Sequence, residues 1–348
     1  MWTRRLGEPA RPHSPLSTAG ASLTRPGDTP CGRPAVAGPT AHYRVNVNIP
    51  TGTQHTLTLG DQHAVIAAVG ASLREYRVGA RDVVLPFDED VLAPAFSGAV
   101  LAPWPNRLRD GEYDRDGRTY EVPVSEHARR TALHGLVAYV AFDVAERADD
   151  GTSLTLEHTI VPTPGYPWAV RVRVTYRLSE AGLSVHTAAD NVGSGVAPYG
   201  VGFHPWLSPG DAAVDACTLT LGASRHVTVD DRLLPTGNVP VAGIDDLREG
   251  VALRGVAFDD AWVSPDRDDD GLTWARLAST DGRTVAMWAD AGCVAWQICT
   301  GDGIPLIERR GVAIEPMSCI ADAFRTGDDL VELAAGDVHE ITWGLRLE

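Results

Sequence analysis

From Tyr43 onward, apolar positions recur mainly at every second residue. Val170, Val172, Val174, Tyr176 and Leu178 interleave with Arg171, Arg173, Thr175 and Arg177, which places apolar side chains on one face of a strand and mostly cations on the other. Ser179-Glu180-Ala181-Gly182 turns the chain, and Leu183, Val185 and Thr187 begin a return strand, so the pair predicts an antiparallel hairpin. The same alternation recurs from Glu112 to Val122 about Asp116-Gly117, from Ser153 to Ile160, from Arg283 to Trp288 after Asp281-Gly282, and at Ile341, Trp343, Leu345 and Leu347. Helical stretches are few and short. Many strands with turn-rich connections and no βαβ rhythm predict an all-β fold, a large antiparallel β-sandwich or barrel. The runs Leu234 to Gly243 and Ser264 to Gly271, rich in Pro, Gly and Asp, read as loops of one domain spanning residues 43–348. Residues 1–42 have Pro, Gly, Ser, Thr and Arg but no apolar period, and predict a disordered tail.

Composition narrows the partners more than the fold. The chain has 348 residues, 44% hydrophobic and 22% charged, enough apolar material for a large core. Its formal charge of -16 opposes non-specific binding to nucleic acid or anionic lipid. Cys31, Cys217, Cys293, Cys299 and Cys319 are scattered and form no Cys-x-x-Cys pair, which suggests neither a zinc site nor a disulfide framework and fits a reducing compartment. No apolar run approaches the roughly 20 residues needed to span a bilayer, and the residues after Arg4-Arg5 lack the apolar segment of a secretory signal. The expectation is a cytoplasmic enzyme or binding protein, monomeric or homodimeric.

Several motif readings fail on inspection. Asp266-Arg267-Asp268-Asp269-Asp270-Gly271 starts like a calcium-binding loop, but the twelfth position is Leu277 and the flanks are not helical, so a solvated acidic turn is the better reading. There is no nucleophile elbow and no phosphate-binding loop, and the glycines from 193 to 202 lack dinucleotide-site spacing. Chemistry without a metal or cofactor is the simplest enzyme reading that remains.

Five stretches have compositions that strands and turns do not explain. One holds His204 between Phe203 and Pro205-Trp206; histidine titrates near neutral pH and the proline pins its backbone. Another is Val312-Ala313-Ile314-Glu315-Pro316-Met317, where Glu315 ends an apolar run; a carboxylate there is costly unless paired or used. The others are Pro103-Trp104-Pro105-Asn106-Arg107, Leu133-His134-Gly135-Leu136 and Phe258-Asp259-Asp260-Ala261-Trp262. Singly, each also admits a structural role: Arg107 in an ion pair, Asp259 or Asp260 in a turn, His134 at the surface, Trp206 and Trp262 in the core.

Together these segments resemble the aldose 1-epimerase, or galactose mutarotase, family over residues 43–348. The resemblance includes Gly111-x-Tyr113, Asp190-Asn191 leading to Ala197-Pro198-Tyr199-Gly200, Leu234-Pro235-Thr236-Gly237, Gln297 with Thr300-Gly301-Asp302, and Asp322-Ala323-Phe324. It implies a mutarotase-like β-sandwich that interconverts the α and β anomers of a free aldohexose without a cofactor. It implies His204 as general acid and Glu315 as general base, with Asn106, Arg107, His134, Asp259 and Gln297 holding sugar hydroxyls. Glu315 would then favour the imidazolium form of His204, and the family pattern favours Asp259 over Asp260 as the residue facing the site. The chain departs from many bacterial relatives after Val137: Ala138 and Tyr139 stand where an arginine and a tryptophan are common, which bears on sugar preference. The rival readings are a hexose-phosphate epimerase of the same fold, which needs a cluster of cations, a non-catalytic sugar-binding protein, and, more remotely, a polysaccharide lyase.

Overall fold

In the computed structural model, which describes residues 49–348, the alternating segments are strands; the expected tail over 1–42 lies outside the described residues, as does Cys31. The strand Val170–Ser179 buries Val170, Val172, Val174, Tyr176 and Leu178 and turns its arginines outward. It pairs with Gly182–Asn191, with Ser179 opposite Gly182, so Glu180-Ala181 form a two-residue turn. Gly182 has φ 114°, and a Cβ there would stand 2.2 Å from the Leu345 carbonyl oxygen of the neighbouring strand. The hairpin therefore closes against its neighbour only on glycine.

These strands belong to a nine-stranded sheet ordered Asp143–Arg147, Ser153–Ile160, Val170–Ser179, Gly182–Asn191, Val338–Leu347, Thr284–Ala289, Thr273–Ala278, Thr218–Leu221, Val251–Ala252. A second sheet of eight strands runs Pro235–Pro240, Ala223–Val229, Asp259–Pro265, Ala295–Cys299, Val312–Met317, Gly202–Phe203, Val100–Leu101, with Trp206–Leu207 also on Val312–Met317. All of these ladders are antiparallel.

One face of each sheet contributes to a shared core. Phe203 and Trp343, from opposite sheets, have ring centroids 5.3 Å apart, and Trp296 Nε1 donates to Thr273 Oγ1 across the same gap at 3.2 Å. Trp262, Trp296, Trp343 and Tyr176 are fully buried there, and burying a large apolar side chain contributes about 1.5–3 kcal/mol. The fold is the expected all-β antiparallel sandwich. Its α-helix among the described residues is the single turn Ala323–Thr326, and among them no helix is long and apolar enough to cross a membrane.

The Leu234–Gly243 run departs from its reading as a loop. Pro235–Pro240 is an exposed strand at the edge of the eight-stranded sheet, where a proline without an N–H costs little because one side of the strand has no partner. The Asp266–Gly271 run is a turn, with the Asp268 carboxylate accepting from the amides of Asp270 and Leu272 and from Trp274 Nε1. Cys217, Cys293, Cys299 and Cys319 are buried free thiols.

Candidate active site

The eight-stranded sheet presents its second face to a cavity of about 490 Å³. Register decides what stands on that face. Asp259 pairs with Cys299, Ala261 with Gln297, Gln297 with Glu315 and Cys299 with Ala313, so these side chains share one side of three adjacent strands. The alternate residues Trp262, Trp296, Ile298, Val312 and Ile314 point into the core. His204 comes from the adjacent break between Gly202–Phe203 and Trp206–Leu207, two short strands that both pair with Val312–Met317. Its backbone is held at both ends, the His204 amide donating to Ala99 O at 3.2 Å and His204 O accepting from Gly98 N at 2.9 Å.

His204 Nε2 and Glu315 Oε1 are 3.3 Å apart, and the two side chains are only 7% and 2% exposed. Residues 111 positions apart in the sequence thus meet on one cavity wall. His204 Nδ1 and Glu315 Oε2 are buried with no hydrogen-bond partner among the described residues. Burial pushes the imidazole down from 6.5 to about 4. Burial, reinforced by the charge of Asp259 and opposed by Arg107, holds the Glu315 carboxyl well above its ordinary 4.5. Both shifts run against the imidazolium expected from the sequence and favour a neutral imidazole beside a protonated carboxyl. That state has the same proton count as imidazolium with carboxylate, and one transfer across the 3.3 Å contact interconverts them.

Arg107, Asn106 and His134 line the same cavity and lock one another. Asn106 and His134 both adopt left-handed φ, 55° and 63°. The Asn106 amide donates to His134 Nδ1 at 3.1 Å, which puts the proton of the neutral ring on Nε2. Burial, followed by the nearness of His204 and Arg107, keeps His134 well below 6.5. Gly135 lets this loop lie against Ala102: a Cβ at 135 would sit 2.2 Å from the Ala102 carbonyl oxygen. Asn106 Oδ1 accepts from the Arg107 amide at 2.8 Å and from Arg107 Nη1 at 3.4 Å, leaving its amide nitrogen as a donor.

Of the two neighbouring acids, Asp259 lines the cavity. Its Oδ2 accepts from Arg107 Nη2 at 3.3 Å and its Oδ1 from Gln297 Nε2 at 2.9 Å. Asp260 instead takes His226 Nε2 at 3.3 Å and the Asp259 amide at 3.1 Å. Gln297, expected to touch sugar, does not line the main cavity; it stands behind Asp259 and orients it. Trp262 is core, while Trp206 lines the cavity and stacks on His204 with centroids 5.6 Å apart. Tyr139 packs on Phe96, which in turn packs edge-on against His134 at 4.5 Å.

Sequence reasoning missed Phe96, Glu126 and Arg129, which line the cavity, and named Asp302, which also lines it, only as part of a matched motif. It also left two matched motifs without a role. Asp322 is a clamp: its amide donates to Arg107 O at 2.7 Å, and its Oδ1 accepts from Arg109 N at 2.9 Å. Thr300 Oγ1 accepts from the Phe258 amide at 2.9 Å and also bonds Asp302 Oδ2, so it fixes the approach to Asp259.

Escherichia coli K12 YihR, an uncharacterized protein, is 31% identical over 297 residues, 85% of this chain and 93% of its own. Human galactose mutarotase is 30% identical over 185 residues, 50% of this chain and 52% of its own. A galactose mutarotase-like protein from Clostridium acetobutylicum has the same fold, with a TM-score of 0.76 at 19% identity, covering 84% of this chain and 94% of its own. A GalM/aldose epimerase homologue from C. elegans gives a TM-score of 0.75 at 18% identity, covering 85% and 98%. The family model described as Aldose 1-epimerase matches residues 54–346, from the first strand of the structure into the last, and the chain belongs to the aldose 1-epimerase family.

Proposed function

We propose that the protein is a mutarotase that interconverts the α and β anomers of a free aldohexose, with His204 as acid and Glu315 as base. The observation that carries this reading is the 3.3 Å contact between His204 Nε2 and Glu315 Oε1 in one polar cavity. The reaction moves protons at two oxygens bonded to one carbon, and so calls for an acid and a base side by side. Glu315 takes the O1 proton, an O1 lone pair completes the C1 carbonyl, the C1–O5 bond breaks toward O5, and His204 protonates O5. Rotation about C1–C2 and reversal of the steps give the other anomer.

Each positioned proton transfer contributes about 10²- to 10⁴-fold. A sugar hydroxyl donating to Glu315 beside Arg107 favours the carboxylate, and with it the imidazolium tautomer that the reaction begins from. The His134 Nε2–H, the Asn106 side-chain Nδ2 and Arg107 serve as donors to hydroxyls, and Asp259 as an acceptor.

Charge favours an uncharged sugar over a sugar phosphate. Glu126, Asp259, Asp302 and Glu315 line the cavity beside Arg107 and Arg129, and both guanidiniums are paired with Glu126. A purely binding protein has no need of a buried acid–base pair. The test is anomer exchange followed by NMR over free and phosphorylated aldoses, for wild type, Glu315→Gln and His204→Asn. Absence of acceleration for every aldose sinks the enzyme reading, and full rates in both variants sink the assignment of acid and base.

A further inference from the structure

Glu126 has no place in the proton transfers, yet it is one of the most heavily bonded side chains in the cavity wall. It precedes the strand Thr131–Leu133, which pairs with Arg107–Arg109, and its backbone is tied to Thr131 in both directions, at 2.9 and 3.2 Å. Its Oε2 accepts from Arg107 Nε at 2.9 Å and Thr131 Oγ1 at 2.7 Å. Its Oε1 accepts from Arg107 Nη2 at 3.3 Å and Arg129 Nη1 at 2.6 Å. A carboxylate offers about four lone-pair sites, so Glu126 is saturated and has no acceptor left for a sugar hydroxyl or a proton. Burial would raise its pKa, but the hydrogen bonds from Arg107 and Thr131 outweigh it and the carboxylate is held below its ordinary range.

The donor count of Arg107 is equally restrictive. A guanidinium has five N–H groups. Nε is on Glu126, Nη2 serves Glu126 and Asp259, and Nη1 gives one hydrogen to Asn106 Oδ1. Among the described residues the second Nη1 hydrogen has no partner, and Arg107 lines the cavity.

We propose that Glu126 is the positioning residue of Arg107: it fixes the guanidinium so that one N–H, on Nη1, is presented to one sugar hydroxyl. This deepens the mutarotase reading and rests on it for the ligand, while the orientation itself does not depend on turnover. Without the clamp, the fork rotates about its long stem and the donor is spread over several directions. The loss then falls on recognition of one hydroxyl rather than on the proton transfers.

Two measurements on the full chain test this. In protein labelled with ¹⁵N-arginine, the Arg107 Nε–H signal is identified by its disappearance in Arg107→Lys. It is expected to exchange slowly with water in wild type and roughly tenfold faster or more in Glu126→Gln, in line with loss of a charge-assisted bond. An unchanged exchange rate overturns the proposal, and this readout stands even if the protein turns over no aldose. The second measurement is anomer-exchange kinetics on the preferred aldose and its monodeoxy analogues. Glu126→Gln is expected to raise KM roughly tenfold with a much smaller change in kcat, and to abolish the penalty for removing one particular hydroxyl. A uniform loss of kcat across all analogues with KM unchanged means a fold-supporting role only, and overturns it. Thr131→Val, which removes one of the four donors and leaves the charges in place, keeps the test open if Glu126→Gln folds poorly; a smaller KM rise with the same hydroxyl dependence is expected, and no shift in either quantity counts against the clamp.

Discussion

Replacing Glu315 by glutamine is expected to weaken catalysis and strengthen the fold at alkaline pH. The buried carboxyl is held above its ordinary 4.5 in the folded chain, first by burial and then by Asp259. Between 4.5 and that raised value the folded chain keeps a proton the unfolded chain has released, so wild-type stability falls as pH rises through this window. Glutamine has the shape of the protonated carboxyl and does not titrate. The two proteins should therefore match near pH 4 and diverge above it, the variant being the more stable. His204 titrates in both, with the opposite slope: its folded pKa is lowered to about 4, so its contribution is lost as pH falls below 6.5. The magnitude is set by the cost of ionising the buried Glu315 carboxyl, a cost that glutamine does not meet. Within that window the gap grows by about 1.4 kcal/mol for each pH unit, or about 3 °C in Tm per unit for a large domain. The assay is thermal unfolding of both proteins from pH 4 to 9, beside anomer exchange at each pH, where the variant should lose about 10²-fold or more. A variant less stable than wild type at every pH would refute the neutral resting pair, and a rate within threefold of wild type would refute the role of Glu315.

Two further predictions concern the supports of the site. Gly135→Ala puts a Cβ 2.2 Å from the Ala102 carbonyl oxygen at a φ of 72°, so the His134 loop must shift. A loss of more than about 2 kcal/mol in urea unfolding is expected, together with a raised KM, and wild-type stability would argue against the close approach. Asp322→Asn removes the charge that pairs with Arg109 and Arg325 while keeping the backbone bond to Arg107. Burial raises the Asp322 carboxyl above its ordinary 3.8 despite the Arg109 amide and the nearby arginines, so the charge adds no stability at neutral pH; chemical unfolding at pH 7 is expected to show a change within about 1 kcal/mol, with kcat little changed, and a kcat collapse would mean that Asp322 acts in the reaction.

The strands were legible because alternation is a local property: Val170 to Leu178 carries its buried face in its own spelling. His204 and Glu315 were legible because their neighbours are unusual for strands, and their meeting is a matter of register that no local pattern encodes. Glu126 was invisible because Ser125-Glu126-His127 reads like any polar loop, and its importance lies in four donors gathered from Arg107, Arg129 and Thr131. Gln297 was taken for a sugar ligand on its motif alone, although a residue directly opposite Glu315 can still be screened by its neighbour, here Asp259. The downward shift of His204 was not legible because sequence reveals a partner carboxylate but not how dry the pair is. Pro235–Pro240 was misread because edge strands tolerate prolines that central strands do not.

The placement of Asp259, Gln297 and Glu315 on three neighbouring ladders has a dynamic and an evolutionary consequence. A slip of one residue between Ala295–Cys299 and Val312–Met317 would send Glu315 into the tryptophan-lined core and bring Ile314 to the cavity. The acid–base pair therefore cannot loosen without opening the sheet, and the amides beneath it should exchange with solvent only when the whole sandwich unfolds. Phe96, Arg129 and Asp302 reach the same cavity from segments outside these ladders. Substitutions there can retune which sugar is accepted while the reacting groups stay pinned, so substrate choice and chemistry are free to evolve at different rates on one scaffold.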